Sequence, residues 1–428
     1  MAVRTKSRTT PKHHANLYYT GNAGRLGVDL NIDYMWQKNT GRLNNRESSS
    51  YFEDALVNSA TTNRSRLLAE KIVLSYPLWK GELEFGEEYT TSRFASDYVT
   101  DSSILDGACS RVDENNRAGF AQIAQRFGNW NVSAGVRYEH VSFSYLENGQ
   151  RRDEMGRTYN NLFPTVSASG MIRNLQLALS YTHKTQRPSY GDLDGTIDYI
   201  NRFTFEGGNP YLKPEKIHDI QLMAAWSKFF GQLSYSYKKD PILHTTTPYG
   251  EDGEVKLITK TNFPKIQQLE AFAGAQFQVG IWQPKVNLGI IKQWLSIDHD
   301  GARKRLESPI GLIQFQNAIH LPADIWLNID LQWMSAGDGE NARITSTSYL
   351  NAKLYKAFLN NSLSVTLEAN DIFNRNIRDF TFYNKDVTLT KYTHITNRTF
   401  QITMQYTFNT SRDRYAGKGA GHNELDRF

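Results

Sequence analysis

The sequence predicts an all-β chain folded as an antiparallel up-and-down transmembrane β-barrel, and three observations predict it. Apolar and polar residues alternate with period two along many segments, short and long connections strictly alternate, and the apolar content is low for the length. Of 428 residues, 39% are hydrophobic, and mean hydropathy is -0.56. A large buried core would call for more. A membrane barrel needs an apolar surface only on the face that meets lipid.

The alternation begins in RLGVDLNIDYMW, where Leu26, Val28, Leu30, Ile32, Tyr34 and Trp36 are interleaved with Arg25, Gly27, Asp29, Asn31, Asp33 and Met35. Successive side chains of a strand point to opposite faces, so this pattern gives one apolar face. In NVSAGVRYEHVSFSY the apolar phase shifts between Tyr138 and Val141, which predicts a bulge near Glu139 or His140. QLSYSYK sets Leu233, Tyr235 and Tyr237 against polar neighbours, and SLSVTLEANDIF does the same with Leu363, Val365 and Leu367. FQITMQYTF ends the series with Phe400, Ile402, Met404, Tyr406 and Phe408.

Alternation alone fits a soluble sandwich equally well. The connections decide for the barrel. Tight breaks at 22–24, 77–81, 128–129, 173–174, 228–231, 280–284, 321–324 and 360–361 are separated by longer polar stretches at 37–63, 91–115, 147–160, 185–213, 239–261, 298–308, 335–344 and 374–396. In an up-and-down meander alternate connections share a rim, so all short turns fall on one side and all long loops on the other. No blade-length repeat points to a propeller. Trp36, Trp79, Trp130, Trp226, Trp282 and Trp333 sit near strand ends, where an amphipathic ring suits the membrane interface. Ordinary strand-end packing would place them similarly.

Other classes are excluded or left without support. No run approaches the roughly 18 apolar residues of a membrane helix. The formal charge of +5 is small for this length and gives no reason to expect nucleic acid as a partner. Cys109 is the single cysteine, so no internal disulfide forms. MAVRTKSRTT is basic but is followed by no apolar segment, so an export signal is not expected within this chain. No HExxH, GxSxG, Walker loop or CxxC pair occurs. SIDHDGARKRLE matches part of a calcium-loop spacing, yet Ser296 takes the first ligand position and Arg303, Lys304 and Arg305 would repel a cation. His140 and His183 have no recognisable catalytic partner. The expectation is no enzyme, no catalytic residue, no metal and no cofactor.

Loops on a rigid scaffold commonly carry binding. The run from Thr185 to Glu215 supplies Tyr190, Tyr199, Phe203, Phe205 and Tyr211 as flat apolar surfaces, with Asp192, Asp194, Asp198, Arg202 and Asn209 as hydrogen-bonding groups. Tyr190, Asp192, Tyr199, Arg202 and Asn209 are the candidate ligand contacts. The same aromatics could instead pack the loop on itself, stiffened by Pro188, Pro210 and Pro214. Arg137 and Glu139 are candidate lumen-facing residues.

Within this loop RPSYGDL followed by GNPYLKPE resembles the barrel region of TonB-dependent receptors, in particular the outer-membrane β-barrel family. NLYYTGNAGRLGVDLNIDY is similar to that family's early hairpin, NNSLSVTLEANDIFN to its penultimate strand and RTFQITMQYTFN to its closing strand. The resemblance implies a Gram-negative outer-membrane location and a barrel of 22 strands, of which about 17 are counted here. The expectation is therefore an incomplete barrel without its plug. The likeness further implies a receptor that imports a solute captured by extracellular loops. Its implied partners are outer-membrane lipid, the barrel-assembly machinery, a TonB-type energy coupler engaged through an N-terminal region outside this chain, and a surface lipoprotein. The alternative is a surface adhesion or interaction protein that uses the same loops without transport. Three regions are expected: a disordered start at 1–11, a barrel portion at 12–409 and a polar tail at 410–428. The resemblance makes the closing strand, with Tyr406 and Phe408, the signal read during assembly. Phe428 follows Glu424, Asp426 and Arg427 with no strand pattern to place it.

Overall fold

Seventeen strands run antiparallel in chain order, each hydrogen-bonded to the next, in a computed structural model that describes residues 2–9, 12–102, 105–250, 253–408 and 419–428. They are His13–Ala23, Leu26–Glu47, Ala55–Leu78, Gly81–Thr100, Ala108–Phe127, Trp130–Glu147, Arg157–Ile172, Leu175–Gln186, Glu215–Trp226, Phe229–Lys239, Lys265–Gln276, Trp282–His299, Ile310–Leu321, Ile325–Met334, Thr347–Phe358, Leu363–Asn370 and Thr399–Tyr406. Each pairs with its sequence neighbour. This is the expected meander, and its turns alternate as expected. Connections at 24–25, 79–80, 128–129, 173–174, 227–228, 277–281, 322–324 and 359–362 are short, and those between them are longer. Gly24 and Gly128 turn two of the tight hairpins at φ +65 and +60, a region open to glycine at little cost. Among the described residues, His13–Ala23 pairs along its length only with Leu26–Glu47, and Thr399–Tyr406 only with Leu363–Asn370.

Outward positions are apolar across a defined band. In Trp282–His299 the ring residues Trp282 and Trp294 are twelve residues apart, with Leu288 midway. At about 3.3 Å per residue and a tilt of about 40°, that spacing spans about 30 Å, the thickness of a hydrocarbon core. Trp79, Trp130, Trp226 and Trp282 lie at the short-turn rim, and Trp36 and Trp333 lie toward the long-loop side.

Three sequence expectations are corrected. The stretches 37–63 and 91–115 are mostly strand, because Leu26–Glu47, Ala55–Leu78, Gly81–Thr100 and Ala108–Phe127 contain 22, 24, 20 and 20 residues. Crossing a bilayer takes about 9–11; in the remainder the outer face no longer meets lipid and need not be apolar, so the membrane alternation stops. The start is not a disordered segment over Ala2–Thr9, which pairs with the outer half of Leu26–Glu47 from Ala2↔Arg46 to Thr9↔Asn39. A strand projecting beyond its neighbour carries unpaired backbone groups, and this segment satisfies them. Residues 1, 10 and 11 fall outside the described residues.

The bulge near Glu139 or His140 is absent. Trp130–Glu147 keeps one register with both neighbours through this point. What changes is the face that must be apolar. Val136 and Tyr138 point outward and are exposed, whereas Val141, Phe143 and Tyr145 point inward and are buried. Past the bilayer the outer face meets water, and the inner face packs against a loop folded into the mouth. Phe94, Val112, Phe143 and Tyr145 from the wall form one cluster with Tyr190, Leu193 and Leu212 from that loop.

Candidate functional site

Inward positions of the long strands carry charge. Asp33, Glu88, Glu114, Asn116, Arg137 and Glu139 lie on four strands and line one side of the interior. Arg137 bridges Glu88 at 3.1 Å and Glu139 at 2.7 Å. Arg187, the first loop residue after Leu175–Gln186, reaches Glu139 at 2.6 Å and Glu114 at 3.5 Å. A cavity of about 810 Å³ opens beside this network, lined by Lys71, Arg137, Glu139, Phe163, Arg187 and Asp192 among others. The expected lumen-facing pair, Arg137 and Glu139, is therefore on the cavity wall and internally paired.

The loop 187–214 roofs the cavity. Its first half turns through Leu193 N–H to Ser189 O and Asp194 N–H to Gly191 O. Asn209 N–H then returns to Asp192 O at 2.6 Å. Gly208 sits where a Cβ would meet the Asp194 carbonyl at 2.2 Å, so the close approach of the two loop limbs requires glycine there. Arg157 on the neighbouring strand donates to the carbonyls of Pro210 and Leu212.

The five candidate contact residues all hold this roof together. Tyr190 is fully buried, hydrogen-bonded to Ser92 and stacked on Phe94. Asp192 pairs with Lys260 at 2.8 Å. Tyr199 is buried and donates to Glu47 at 3.0 Å, while Arg202 binds the same carboxylate through its backbone N–H and Nε. Asn209 donates to Lys260 O at 2.9 Å. Tyr190 and Tyr199 are thus packing residues of the loop, and of the flat aromatic surfaces in this loop Phe203 and Tyr211 are the exposed ones. Around Asp198, burial is the main cause that pushes its carboxyl up to about 6, and Asp194 and Glu206 add to it. Burial also holds the Tyr199 phenol up at about 12, with the hydrogen bond to Glu47 contributing.

No pattern in the sequence places the last residues. Of the polar tail at 410–428, residues 410–418 fall outside the described residues, and 419–428 lie against the inner wall. Gly419, Ala420 and Gly421 donate backbone N–H groups to Asn31, Asp33 and Glu88 at 3.1, 2.6 and 2.9 Å. Glu424 accepts from Asn116 and Arg187, and Arg427 forks onto Glu114 at 2.5 and 3.1 Å. Phe428 packs against Tyr190 with ring centroids 4.6 Å apart and the rings tilted by 33°, so it has a fixed place after all. Its partners are supplied by the wall and the loop, hundreds of residues earlier. Tyr406 and Phe408 lie at the short-turn end of the chain's final strand, outward, exposed and stacked at 6.2 Å. SIDHDGARKRLE folds as a hairpin in which Asp298 faces Arg303. Sequence reasoning misses Glu47 and Glu114 and assigns no role to Arg187, which is the first residue of the quoted RPSYGDL.

The model of the outer membrane protein beta-barrel family matches residues 21–406. In fold the chain is similar to the copper transporter OprC, at 14% identity and TM-score 0.67, covering 93% of this chain and 65% of that one. It is similar to the ferric-catecholate import receptor Fiu from E. coli K12, at 12% identity and TM-score 0.62, covering 93% and 64%. It is also similar to the pyoverdine outer membrane receptor FpvA from Pseudomonas aeruginosa PAO1, at 12% identity and TM-score 0.60, covering 95% and 62%. The chain spans less than two thirds of the length of each. Comparison with curated proteins returns no match.

Proposed function

The chain belongs to the outer membrane protein beta-barrel family, and from that premise we propose that it is the barrel portion of a TonB-dependent-type receptor importing a solute captured by its outer loops. The observation that carries this reading is the direction in which the long loop 187–214 folds. It turns inward, buries Tyr190 and Leu193 against the wall and roofs a polar cavity. A loop so placed connects the outer surface to the interior, as import requires. An adhesive loop has no need of the interior. The similarity in fold to solved metal and siderophore receptors supports the same general kind. The mechanism involves no bond making or breaking: the loops bind, the charged wall offers exchangeable hydrogen bonds, and an energy coupler acting through the rest of the receptor drives release.

The test is uptake by cells expressing the full receptor, with labelled ferric chelates, cobalamin, glycan oligomers and peptides as probes. One probe is expected to accumulate inside in an energy-dependent manner, and to stop accumulating when the 197–207 hairpin is shortened. A probe held at the surface that never enters, with or without energy, would replace this reading with the adhesion alternative.

A further inference from the structure

A buried arginine is expensive unless its charge is paired and its remaining donors are satisfied. Arg427 meets both conditions on residues outside its own segment. Its guanidinium forks onto Glu114, Nε donates to Pro188 O at 2.9 Å, and its plane lies 4.2 Å over the Tyr190 ring. The backbone joins in, since Tyr190 N–H donates to Arg427 O at 3.1 Å. Beside it the Phe428 ring rests on Tyr190, itself fixed from behind by Phe94. Bidentate Arg–carboxylate pairing, a carbonyl for the third donor and an aromatic shelf are the elements by which a pocket recognises an arginine side chain. Glu114 lies in Ala108–Phe127 and Pro188 and Tyr190 lie in the roofing loop, so the pocket is assembled by the barrel and loop without the segment that fills it.

We propose that Glu114, Arg187 and Tyr190 form a peptide-binding site specific for an arginine followed by an aromatic residue, occupied here by the chain's own residues 419–428 as an internal ligand. The occupant lies directly against the cavity, which Asn423, Asp426 and Arg427 help to line, so an occupied site narrows the route beneath the loop. Tethering makes occupancy intramolecular and gives it a high effective concentration, which an added peptide must overcome. The site stands on this geometry and not on the uptake reading.

The experiment uses the full receptor and a version lacking 419–428, both purified and checked for equal β content. The probe is a fluorescently labelled synthetic peptide of sequence GAGHNELDRF, followed by anisotropy. The shortened version is expected to bind it and the intact one to bind it at least about tenfold more weakly. Replacing the peptide's arginine by alanine, or Glu114→Gln in the shortened version, should weaken binding about 10- to 100-fold, as loss of a hydrogen bond to a charged group would. Binding that is indifferent to both changes, or no binding to a folded shortened version, would overturn the proposal. If the shortened version does not fold, the intact chain carries the test. Glu114→Arg and Arg427→Glu should each expose residues 422–423 to protease, and together should restore protection. Absence of that rescue would also overturn it. Failure here leaves the uptake experiment untouched, because binding is measured without transport.

Discussion

Placing one arginine at three positions of the strand Trp282–His299 measures both the direction and the depth of its side chains. Leu288 points outward, is 52% exposed and lies midway between Trp282 and Trp294. Leu288→Arg therefore sets a guanidinium near the bilayer midplane, at a cost of about 2–4 kcal/mol, or about 30- to 1000-fold in the folded-to-unfolded ratio. Trp282→Arg places the same group at the rim, where the cost falls to about 0–1 kcal/mol. Asn287→Arg points inward, opposite Gly274 on the adjoining strand, where the Gln314 side-chain carbonyl on the polar inner face offers an acceptor. Its cost should fall well below that of Leu288→Arg. The assay is denaturant titration of the full receptor folded into phospholipid vesicles, read by tryptophan fluorescence, with Phe as the replacement at Leu288 to control for shape. Equal costs for Leu288→Arg and Asn287→Arg would show that the faces are assigned wrongly. Equal costs for Leu288→Arg and Trp282→Arg would show that the band is not centred where the tryptophans put it.

Two further outcomes follow from the loop and from the closing strand. The carboxyl of Asp198 titrates at about 6 in the folded loop, raised mainly by burial and also by Asp194 and Glu206, so folding favours its protonated form; that stabilisation is full below pH about 4 and is lost as pH rises through about 6. Hydrogen exchange of residues 197–207 should thus show more protection at pH 5 than at pH 7.5, and Asp198→Asn should remove the difference, gaining up to about 3 kcal/mol at pH 7.5; protection that rises with pH would contradict the assignment. Replacing Tyr406 and Phe408 with serine should lower the outer-membrane yield of the receptor, measured by surface labelling, whereas Gln405→Ser on the other face should not; equal yields would remove the assembly role from these two aromatics.

Leu26 to Trp36 could be recognised as a strand because lipid imposes a demand on every second residue, and that demand is local in sequence. The same local demand is absent from Gln37 to Glu47, where the outer face has left the lipid and the inner face carries polar Asn45 and Glu47 against the loop, so the chain there looks like loop. Between Tyr138 and Val141 the demand changes sides, and a change of side imitates a change of register when only spacing is visible. Pairing with Ala108–Phe127 on one side and Arg157–Ile172 on the other distinguishes the two. The loop aromatics could be singled out by type, but whether Tyr190 faces a ligand or Phe94 depends on a wall residue almost a hundred positions earlier. Glu114 and Arg427 are separated by 313 residues, and neither has a neighbour in sequence that marks it.

Tyr190 shows why the outer loop and the interior should respond to one another. One face of its ring stacks with Phe94 of the wall, its hydroxyl meets Ser92, its backbone N–H holds the Arg427 carbonyl, and Phe428 and the Arg427 guanidinium pack on the same ring. A solute that drew the loop outward would have to break the contact with Phe94 or carry the terminal segment with it. Breaking it exposes Val112, Phe143 and Tyr145 to water, which burial of apolar surface opposes at about 25 cal/mol per Å². Carrying the segment strips Arg427 from Glu114 and leaves a carboxylate facing Arg187 alone, at 3.5 Å. Either path has a cost, set by the apolar cluster in the first case and by the Arg427–Glu114 pair in the second. Movement of the outer loop and movement of residues 419–428 are therefore coupled through the one ring of Tyr190.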